Sequence, residues 1–179
     1  VPVGTAARVT ATIAAQTDRA FEVVSNPEFL REGCAIDDFL LPDRVVVGCR
    51  SEHAESVMKG LYQAHLDAAR KRSPEGGKWF RMDPPSAEMT KYTANAMLAL
   101  RISFMNEIAA LCEKVGADVD YVKEGIGSDH RIGKYFLNPG PGFGGSCFPK
   151  ALQALLKVAR ENRQSLRSLA ATVEVNRHQ

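Results

Sequence analysis

The chain has 179 residues, a mass of 19.5 kDa and a formal net charge of +2. Hydrophobic residues make up 45% of the sequence and charged residues 25%, the balance of an ordinary globular protein with a normal apolar core. The small net charge argues against nucleic acid as a partner. No apolar run reaches the roughly 18 residues needed to span a bilayer, so the sequence does not predict a membrane as a partner.

The first half of the chain alternates segments typical of helices and strands. The predicted elements are a helix over residues 5–16, strands over 21–24 and 44–49, a helix over 51–69 and a strand over 78–82. This order predicts part of an α/β sheet, with too few strands to close such a sheet alone.

After the sequence Asp83-Pro84-Pro85-Ser86 the pattern becomes helical. Residues 86–115 contain no Gly or Pro, which predicts a rod of roughly 45 Å ending at Gly116. Apolar residues occupy several faces of this rod, so we expect much of it to be buried. The remaining predicted elements are a short helix over 118–124, a glycine-rich loop over 125–149, and helices over 150–161 and from 166 onward.

Four cysteines and four histidines are scattered along the chain. They lack the spacing of zinc ligands, so we predict no metal site, and thiols dispersed in this way are typical of a cytoplasmic protein. Cys34, Cys49 and Cys112 lie in or beside apolar segments and are predicted to pack in the core.

Cys147 stands apart because glycines precede it and a predicted helix follows it. Glycines let the backbone approach a ligand, and the helix dipole together with Lys150 would favour the nucleophilic thiolate. A small cysteine in a structural loop is the alternative, and the spacing alone favours it.

Other polar residues could act with this thiol. Lys91 and Asn95 lie four residues apart on one predicted helix and could stabilise an oxyanion. Glu28 and Glu32 follow a predicted strand end, where α/β proteins bind ligands and where a carboxylate can act as a base. Arg131 lies among glycines and could hold a phosphate or a sugar hydroxyl. Each residue alone is more simply a solvated surface group.

Four segments taken together resemble the UDP-glucose 6-dehydrogenase branch of the UDP-glucose/GDP-mannose dehydrogenases. They are NPEFLREG at 26–33, SAEMTKYTANAMLALRISFMNEIAALCEKVGADV at 86–119, GIGSDHRIG at 125–133 and FLNPGPGFGGSCFPK at 136–150. The resemblance covers nearly the whole chain in order. It implies a fold in which residues 1–83 are the C-terminal part of a Rossmann-like NAD-binding domain. Residues 84–179 would be an all-α central dimerisation domain with one long helix.

The resemblance implies NAD-dependent, four-electron oxidation of UDP-glucose to UDP-glucuronate. Cys147 would form a thiohemiacetal and then a thioester, which water cleaves. Lys91 and Asn95 would stabilise oxyanions and Glu28 would act as acid and base. The residues implied to bind the nucleotide sugar are Phe29, Leu30, Arg31, Glu32, Arg131, Phe136, Asn138, Pro139, Gly140, Pro141, Gly142, Phe143 and Gly144. Arg131 would reach the sugar of a neighbouring subunit. Those implied to contact NAD are Val1, Glu32, Cys147 and Lys150.

Two departures from the family pattern bear on activity. The glycine-rich unit that opens the family's NAD-binding domain and the C-terminal domain are both missing, so we expect this chain to be a middle piece with little activity alone. The family sequence FPKD reads FPKA here, with Ala151 replacing an aspartate. The alternatives are therefore a non-catalytic dimerisation core or inactive homologue, and GDP-mannose or another UDP-sugar as substrate. A cysteine hydrolase using His130 has less support, because no orienting acid accompanies that histidine.

Overall fold

The computed structural model describes residues 1–179, which divide into two compact units, Val1–Lys91 and Tyr92–Gln179. The first unit contains α1 (Thr5–Ala14), α2 (Ala35–Leu40), β1 (Arg44–Gly48), α3 (Glu52–Arg72), β2 (Lys78–Met82) and the start of α4 (Pro84–Val115). The second contains the rest of α4, then α5 (Val119–Gly127), α6 (Cys147–Glu161) and α7 (Arg167–His178). The predicted domain boundary after residue 83 stays a prediction.

A small parallel sheet forms the centre of the first unit. β1 and β2 pair in parallel, with Arg44 opposite Lys78 and Gly48 opposite Met82. The three valines of β1 are buried, and Val45 and Val47 pack with Leu66 of the intervening helix α3. Ser51 caps α3 by accepting a hydrogen bond from the Ala54 N–H at 3.0 Å, as its sequence predicts. The parallel pair with a helical crossover confirms the α/β assignment of this part of the chain.

Helices alone make up the second unit. Small residues of α4, Ala96 and Ala99, allow close packing against α6 and α7, and Gly116 follows the helix with φ +73°. The shared core consists of Tyr92, Ala96, Ala99, Ala151, Leu152, Leu155 and Leu169. No helix combines the length and the apolar character that crossing a bilayer requires.

Several sequence expectations were wrong in detail. No strand forms over residues 21–24, because the backbone there meets β1 only through the pairing of Ser25 with Gly48. Cys34 is exposed rather than buried, since it precedes the surface helix α2 that the sequence pattern did not reveal. Helix α6 begins at Cys147 and not near Lys150. Pro149 does not prevent this start, because the first turn of a helix needs no N–H donor there.

One apolar face of α4 is also exposed, although we expected much of this helix to be buried. Met97, Phe104, Leu111 and Val115 are between 50% and 67% exposed. Their spacing places them along one side of the helix, while Ala96, Ala99 and Met105 fill the core on another. Apolar periodicity identified both faces but could not say which of them this chain covers itself.

Candidate active site

The structure brings together two residues that the sequence analysis singled out in separate motifs. Lys91 Nζ lies 3.0 Å from Glu28 Oε1. The Lys91 side chain is only 18% exposed, whereas that of Glu28 is 59% exposed. A partly buried cation therefore faces a carboxylate that is open to solvent, which is a suitable arrangement for a base that must exchange protons with a ligand or water.

The loop that carries Glu28 is anchored to the sheet by its first two residues. Ser25 exchanges backbone hydrogen bonds with Gly48 at 2.9 and 2.7 Å. Asn26 Nδ2 donates to the Val46 carbonyl at 2.9 Å, and the Tyr62 hydroxyl donates to Asn26 Oδ1 at 2.7 Å. These contacts hold the loop at the carboxyl end of β1, which is the edge where open α/β sheets bind ligands.

The next residues of this loop are fixed by cations and by the neighbouring helix. The Phe29 ring lies 3.9 Å from the Arg44 guanidinium carbon and 5.4 Å from Lys91 Nζ, both measured to the ring centroid. Arg31 binds Asp38 of α2 through two nitrogens, at 3.0 and 2.6 Å. The guanidinium of Arg31 accordingly holds the pKa of Asp38 below its usual range. Leu30, Glu32 and Val1, which were also predicted to contact ligands, are exposed.

Opposing influences act on the proton affinity of Glu28. Partial burial of the carboxyl acts to raise its pKa. The Leu30 N–H, which donates to Oε2 at 2.8 Å, and the Lys91 ammonium act in the opposite direction and prevail, so the pKa lies below that of an ordinary glutamate. Glu28 is therefore held as a carboxylate, the form that can accept a proton.

Glu88, which the sequence analysis missed, is a buried carboxylate on the same face of α4 as Lys91. Its oxygens accept hydrogen bonds from the Gly4 N–H at 2.7 Å and the Ala6 N–H at 2.8 Å, and from the Ser25 hydroxyl at 3.2 Å. Helix α1 has no side-chain cap of its own, so Glu88 caps it from a distant part of the chain. Because Ser25 begins the Glu28 loop, Glu88 ties that loop to the turn of α4 that carries Lys91.

The second unit presents Cys147 to solvent. It is the first residue of α6, and the Ser146 hydroxyl lies 3.9 Å from its sulfur. Cys49 and Cys112 are buried, so only Cys147 and Cys34 are open to reagents. Lys150 is exposed in the same helical turn, and Asn95 is half-buried on α4. Exposure at a helix N-terminus is the setting in which a cysteine can act as a nucleophile.

The loop before Cys147 contains the predicted sugar-binding segment. Phe136 has φ +61°, an unusual value for a residue with a side chain, and Gly142 has φ +88°. The rings of Phe136 and Phe143 each meet the edge or face of Phe148, at centroid distances of 6.2 and 5.8 Å. Asn138, Pro141 and Gly144 are exposed, while Pro139, Gly140 and Gly142 are half-buried. The loop is thus shaped by aromatic packing next to the cysteine.

Arg131 is an exposed predicted site residue that pairs with a neighbouring carboxylate. Its guanidinium binds the Asp129 carboxylate, with Nε at 3.0 Å from Oδ1 and Nη2 at 2.5 Å from Oδ2. This contact lowers the pKa of Asp129. The Arg131 side chain is otherwise exposed, so Asp129 orients it towards solvent and leaves it available to a ligand or another chain.

Ala151 occupies a place where a charged side chain would be costly. It is 2% exposed and packs in the core formed by α4, α6 and α7. An aspartate at this position would bury a carboxyl group among apolar side chains unless a buried partner compensates it. Ala151 therefore contributes to core packing at a position where the family resemblance leads us to expect an aspartate.

Comparison with known proteins shows that both units match domain models of one protein family. Residues 85–178 match the central-domain model of the UDP-glucose/GDP-mannose dehydrogenase family, and residues 1–66 match the model of its NAD binding domain. The UDP-glucose 6-dehydrogenase of Rhizobium meliloti is 48% identical over 98% of this chain, and TuaD of Bacillus subtilis, also a UDP-glucose 6-dehydrogenase, is 45% identical over 100% of it. The chain spans 39% and 37% of the lengths of these two relatives. A solved UDP-glucose dehydrogenase from Pyrobaculum islandicum superposes with a TM-score of 0.87 at 38% identity, covering 99% of this chain and 39% of that structure. These matches confirm the predicted fold class.

Replacing Lys91 with methionine is expected to raise the pKa of Glu28, because methionine preserves the apolar stem but removes the cation that favours the carboxylate. Carbon-13 NMR of the glutamate carboxyls should show Glu28 titrating below the ordinary value of about 4.3 in the unchanged chain and higher in Lys91→Met. Lys59→Met, which removes an exposed lysine of α3, should leave this titration unchanged. A Glu28 titration that does not move in Lys91→Met would contradict the ion pair.

The same pair has a predictable effect on stability. A carboxyl with a lowered pKa in the folded state stabilises that state above its ordinary pKa and loses this effect as the pH falls through the lowered value. The difference in unfolding free energy between the unchanged chain and Lys91→Met should therefore narrow on acidification through the Glu28 titration.

Proposed function

Because the chain belongs to the UDP-glucose/GDP-mannose dehydrogenase family, we propose that it carries the catalytic and sugar-binding residues of an enzyme that oxidises C6 of UDP-glucose to a carboxylate. The observation that carries this proposal is the Glu28–Lys91 contact at 3.0 Å, which joins two motifs of the family resemblance in one place. The exposed thiol at the start of α6 supports it.

Cys147 is the proposed nucleophile. Its thiolate adds to the C6 aldehyde, so that a carbon–sulfur bond forms and the carbonyl oxygen becomes an oxyanion, giving a thiohemiacetal. Lys91 and Asn95 are proposed to stabilise this charge, because an ammonium and an amide N–H are both donors to an oxyanion. Retention of the aldehyde as a covalent adduct would divide the four-electron oxidation into two stages, and loss of a hydride from the thiohemiacetal carbon to NAD, together with the hydroxyl proton, would convert this adduct into a thioester.

Glu28 is proposed to assist the final hydrolysis. Water attacks the thioester carbon while Glu28 accepts one of its protons, the carbon–sulfur bond breaks with the Cys147 thiolate as leaving group, and the carboxylic acid so formed gives its proton to solvent and leaves as a carboxylate. The lowered pKa of Glu28 keeps it ionised and able to accept that proton at neutral pH. The interaction with Lys91 would also orient the carboxylate before water arrives.

NAD is the hydride acceptor that the family uses in both oxidations. The described residues do not form a dinucleotide cradle by themselves. The spacing Gly140-x-Gly142-x-x-Gly145 has the letters of a dinucleotide fingerprint, but no strand precedes it, and the sheet contains only β1 and β2. Covalent chemistry at Cys147, and not NADH formation, is therefore the property to test in this chain.

UDP-glucose is the proposed substrate because both relatives described above are named as UDP-glucose 6-dehydrogenases. The segments FLLPDRVVVG and GFGGSCFPK also resemble the UDP-glucose branch of the family. GDP-mannose and other UDP-sugars are the alternatives.

The proposed enzyme also forms a homodimer through the helical domain, since the α4 face formed by Met97, Phe104, Leu111 and Val115 is apolar and exposed over several turns.

Alkylation provides a direct test of the proposed nucleophile. Iodoacetamide should modify Cys147 and Cys34, which are exposed, and spare Cys49 and Cys112. UDP-glucose should slow modification of Cys147 and leave the rate at Cys34 unchanged, as followed by mass spectrometry of the separate peptides. Cys34 is thus a control within the same molecule. Equal alkylation rates at Cys147 with and without UDP-glucose and GDP-mannose would contradict the proposal. Protection by GDP-mannose but not by UDP-glucose would identify GDP-mannose as the substrate instead.

The substitution Ala151→Asp tests whether this chain belongs to a working enzyme or to an inactive homologue. The test uses a chimera in which this chain replaces the matching segment of the Bacillus subtilis relative. We expect Ala151→Asp to raise its turnover and to lower the free energy of unfolding by several kcal/mol, on the order of the cost of burying one charge. Ala151→Asn, which has the same shape without the charge, is the control. Unchanged turnover in Ala151→Asp would contradict a role for that carboxylate.

The proposed dimer can be tested by light scattering. The unchanged chain should have twice the mass of 19.5 kDa, and Leu111→Glu should give monomers because it places a charge in the apolar face. Leu61→Glu makes the same change at an exposed leucine of α3 and should leave the dimer intact. A monomeric unchanged chain at micromolar concentrations would overturn this assembly.

A further inference from the structure

The proposed sugar-binding loop has almost no backbone support of its own. Residues 134–145 belong to no helix or strand, and their backbone contains only short turns, at Tyr135–Phe136 and at Gly145. Two of the glycines, Gly142 and Gly145, have positive φ values of +88° and +70°, which an unfolded chain does not select strongly. Something outside the loop must therefore hold its shape.

Side-chain amides from α4 and from the end of α7 supply that support. Asn176 Nδ2 donates to the Phe143 carbonyl at 2.9 Å, and the Phe143 N–H donates to Asn176 Oδ1 at 2.7 Å. The Gly140 N–H donates to Asn106 Oδ1 at 2.8 Å, and Gln179 Nε2 donates to the Gly140 carbonyl at 2.9 Å. Both backbone groups of Gly140 and of Phe143 are thus paired with carboxamides.

The contact with Phe143 uses both the acceptor and the donor of the Asn176 side-chain amide. It accepts from one backbone N–H and donates to the carbonyl of the same residue, which among side chains only Asn and Gln can do in one plane. The approach also depends on Gly142, because a Cβ there would lie 2.6 Å from Asn176 Oδ1. Gly142 therefore provides room for the amide as well as the positive φ.

Asn106 is poorly explained by stability alone. It is 2% exposed, and its Nδ2 has no hydrogen-bond partner. A buried unpaired donor destabilises a protein, so an apolar residue would serve the core better at this position. What the asparagine contributes is the acceptor for Gly140. One turn earlier, the Ser103 hydroxyl donates to the Thr172 carbonyl at 3.0 Å, which sets α4 and α7 in register for the amide contacts.

The held loop continues directly to the proposed nucleophile. The Phe143 ring packs edge-to-face on Phe148, with a centroid distance of 5.8 Å and an interplanar angle of 90°. Phe148 follows Cys147 in the first turn of α6. Fixing the Phe143 backbone therefore also constrains the aromatic contact beside the thiol.

We propose that Asn106, Asn176 and Gln179, defined here as the amide clamp, are positioning residues that hold residues 138–145 in the conformation that binds the nucleotide sugar. This inference rests on the proposed function, because it concerns the same loop. The clamp acts through the loop and contacts no reacting atom. Its effect is preorganisation, since a loop already ordered before binding loses less entropy when the ligand arrives.

The test compares Asn176→Ala with Asn162→Ala in this chain. Asn162 is the matched control, because its Nδ2 also donates to a backbone carbonyl, that of Val158 at 2.8 Å, but away from the loop. Hydrogen exchange measured by NMR should show at least a tenfold loss of protection at the Phe143 N–H in Asn176→Ala only. Calorimetry should show UDP-glucose affinity weakened by roughly tenfold in Asn176→Ala, beyond any change caused by unfolding, and unchanged in Asn162→Ala.

Gly142→Ala gives an independent route to the same result, because it displaces the amide without altering Asn176. The double variant should bind UDP-glucose no more weakly than Gly142→Ala alone, because Gly142→Ala already breaks the Asn176 contact in addition to straining the backbone at φ +88°. Additive losses would overturn the inference, as would full protection of Phe143 in Asn176→Ala. Lost protection with unchanged affinity would overturn the positioning role while leaving the proposed function intact. Failure of the unchanged chain to bind any nucleotide sugar would overturn both.

Discussion

The continuity of helix α4 is the constraint on which most of the candidate site depends. No Gly or Pro interrupts residues 86–115, so the backbone hydrogen-bond ladder runs unbroken and every side chain on it has a defined direction. Its first turns place Glu88 and Lys91 on one face, where they hold α1 and the Glu28 loop. Later turns carry Ser103 and Asn106, which hold α7 and the glycine loop. Different turns of α4 thus supply polar contacts within each of the two compact units.

Three polar residues of α4 supply partners to backbone or charged groups that have no local partner. Glu88 caps a helix that has no side-chain cap, and Lys91 neutralises a carboxylate in a loop. Asn106 pairs with a glycine N–H that has no backbone partner. Unpaired backbone groups are costly when partly buried, so these contacts stabilise irregular segments that secondary structure cannot. Irregular segments carrying reactive groups on a rigid support are typical of functional sites.

The substitution at Ala151 shows how core packing and chemistry compete at one position. Ala151 lies on α6, four residues beyond Cys147, in the core shared with α4 and α7. A small apolar residue favours close helix packing there, whereas the family resemblance leads us to expect a carboxylate. The chain therefore retains the thiol, the lysine and the glutamate of the family motifs while the core around α6 is fully apolar at this point.

Much of the architecture followed from local signals in the sequence. β1, α3, β2, α4 and α5 lie within a few residues of their predicted bounds, because capping residues, β-branched runs and the glycine after α4 act over short distances. Cys147, Lys91 and Glu28 could be singled out by residue type and motif, since those features need no coordinates.

Only the tertiary structure decided which partners these residues have. The contact of Lys91 with Glu28, the capping role of Glu88 and the pairing of Asn176 with Phe143 join positions far apart in sequence, and no local pattern encodes such distances. The exposed face of α4 and the exposed Cys34 were mistaken for core for a related reason. Hydrophobicity predicts that a surface gains from being covered, but chain topology determines whether the chain itself covers it.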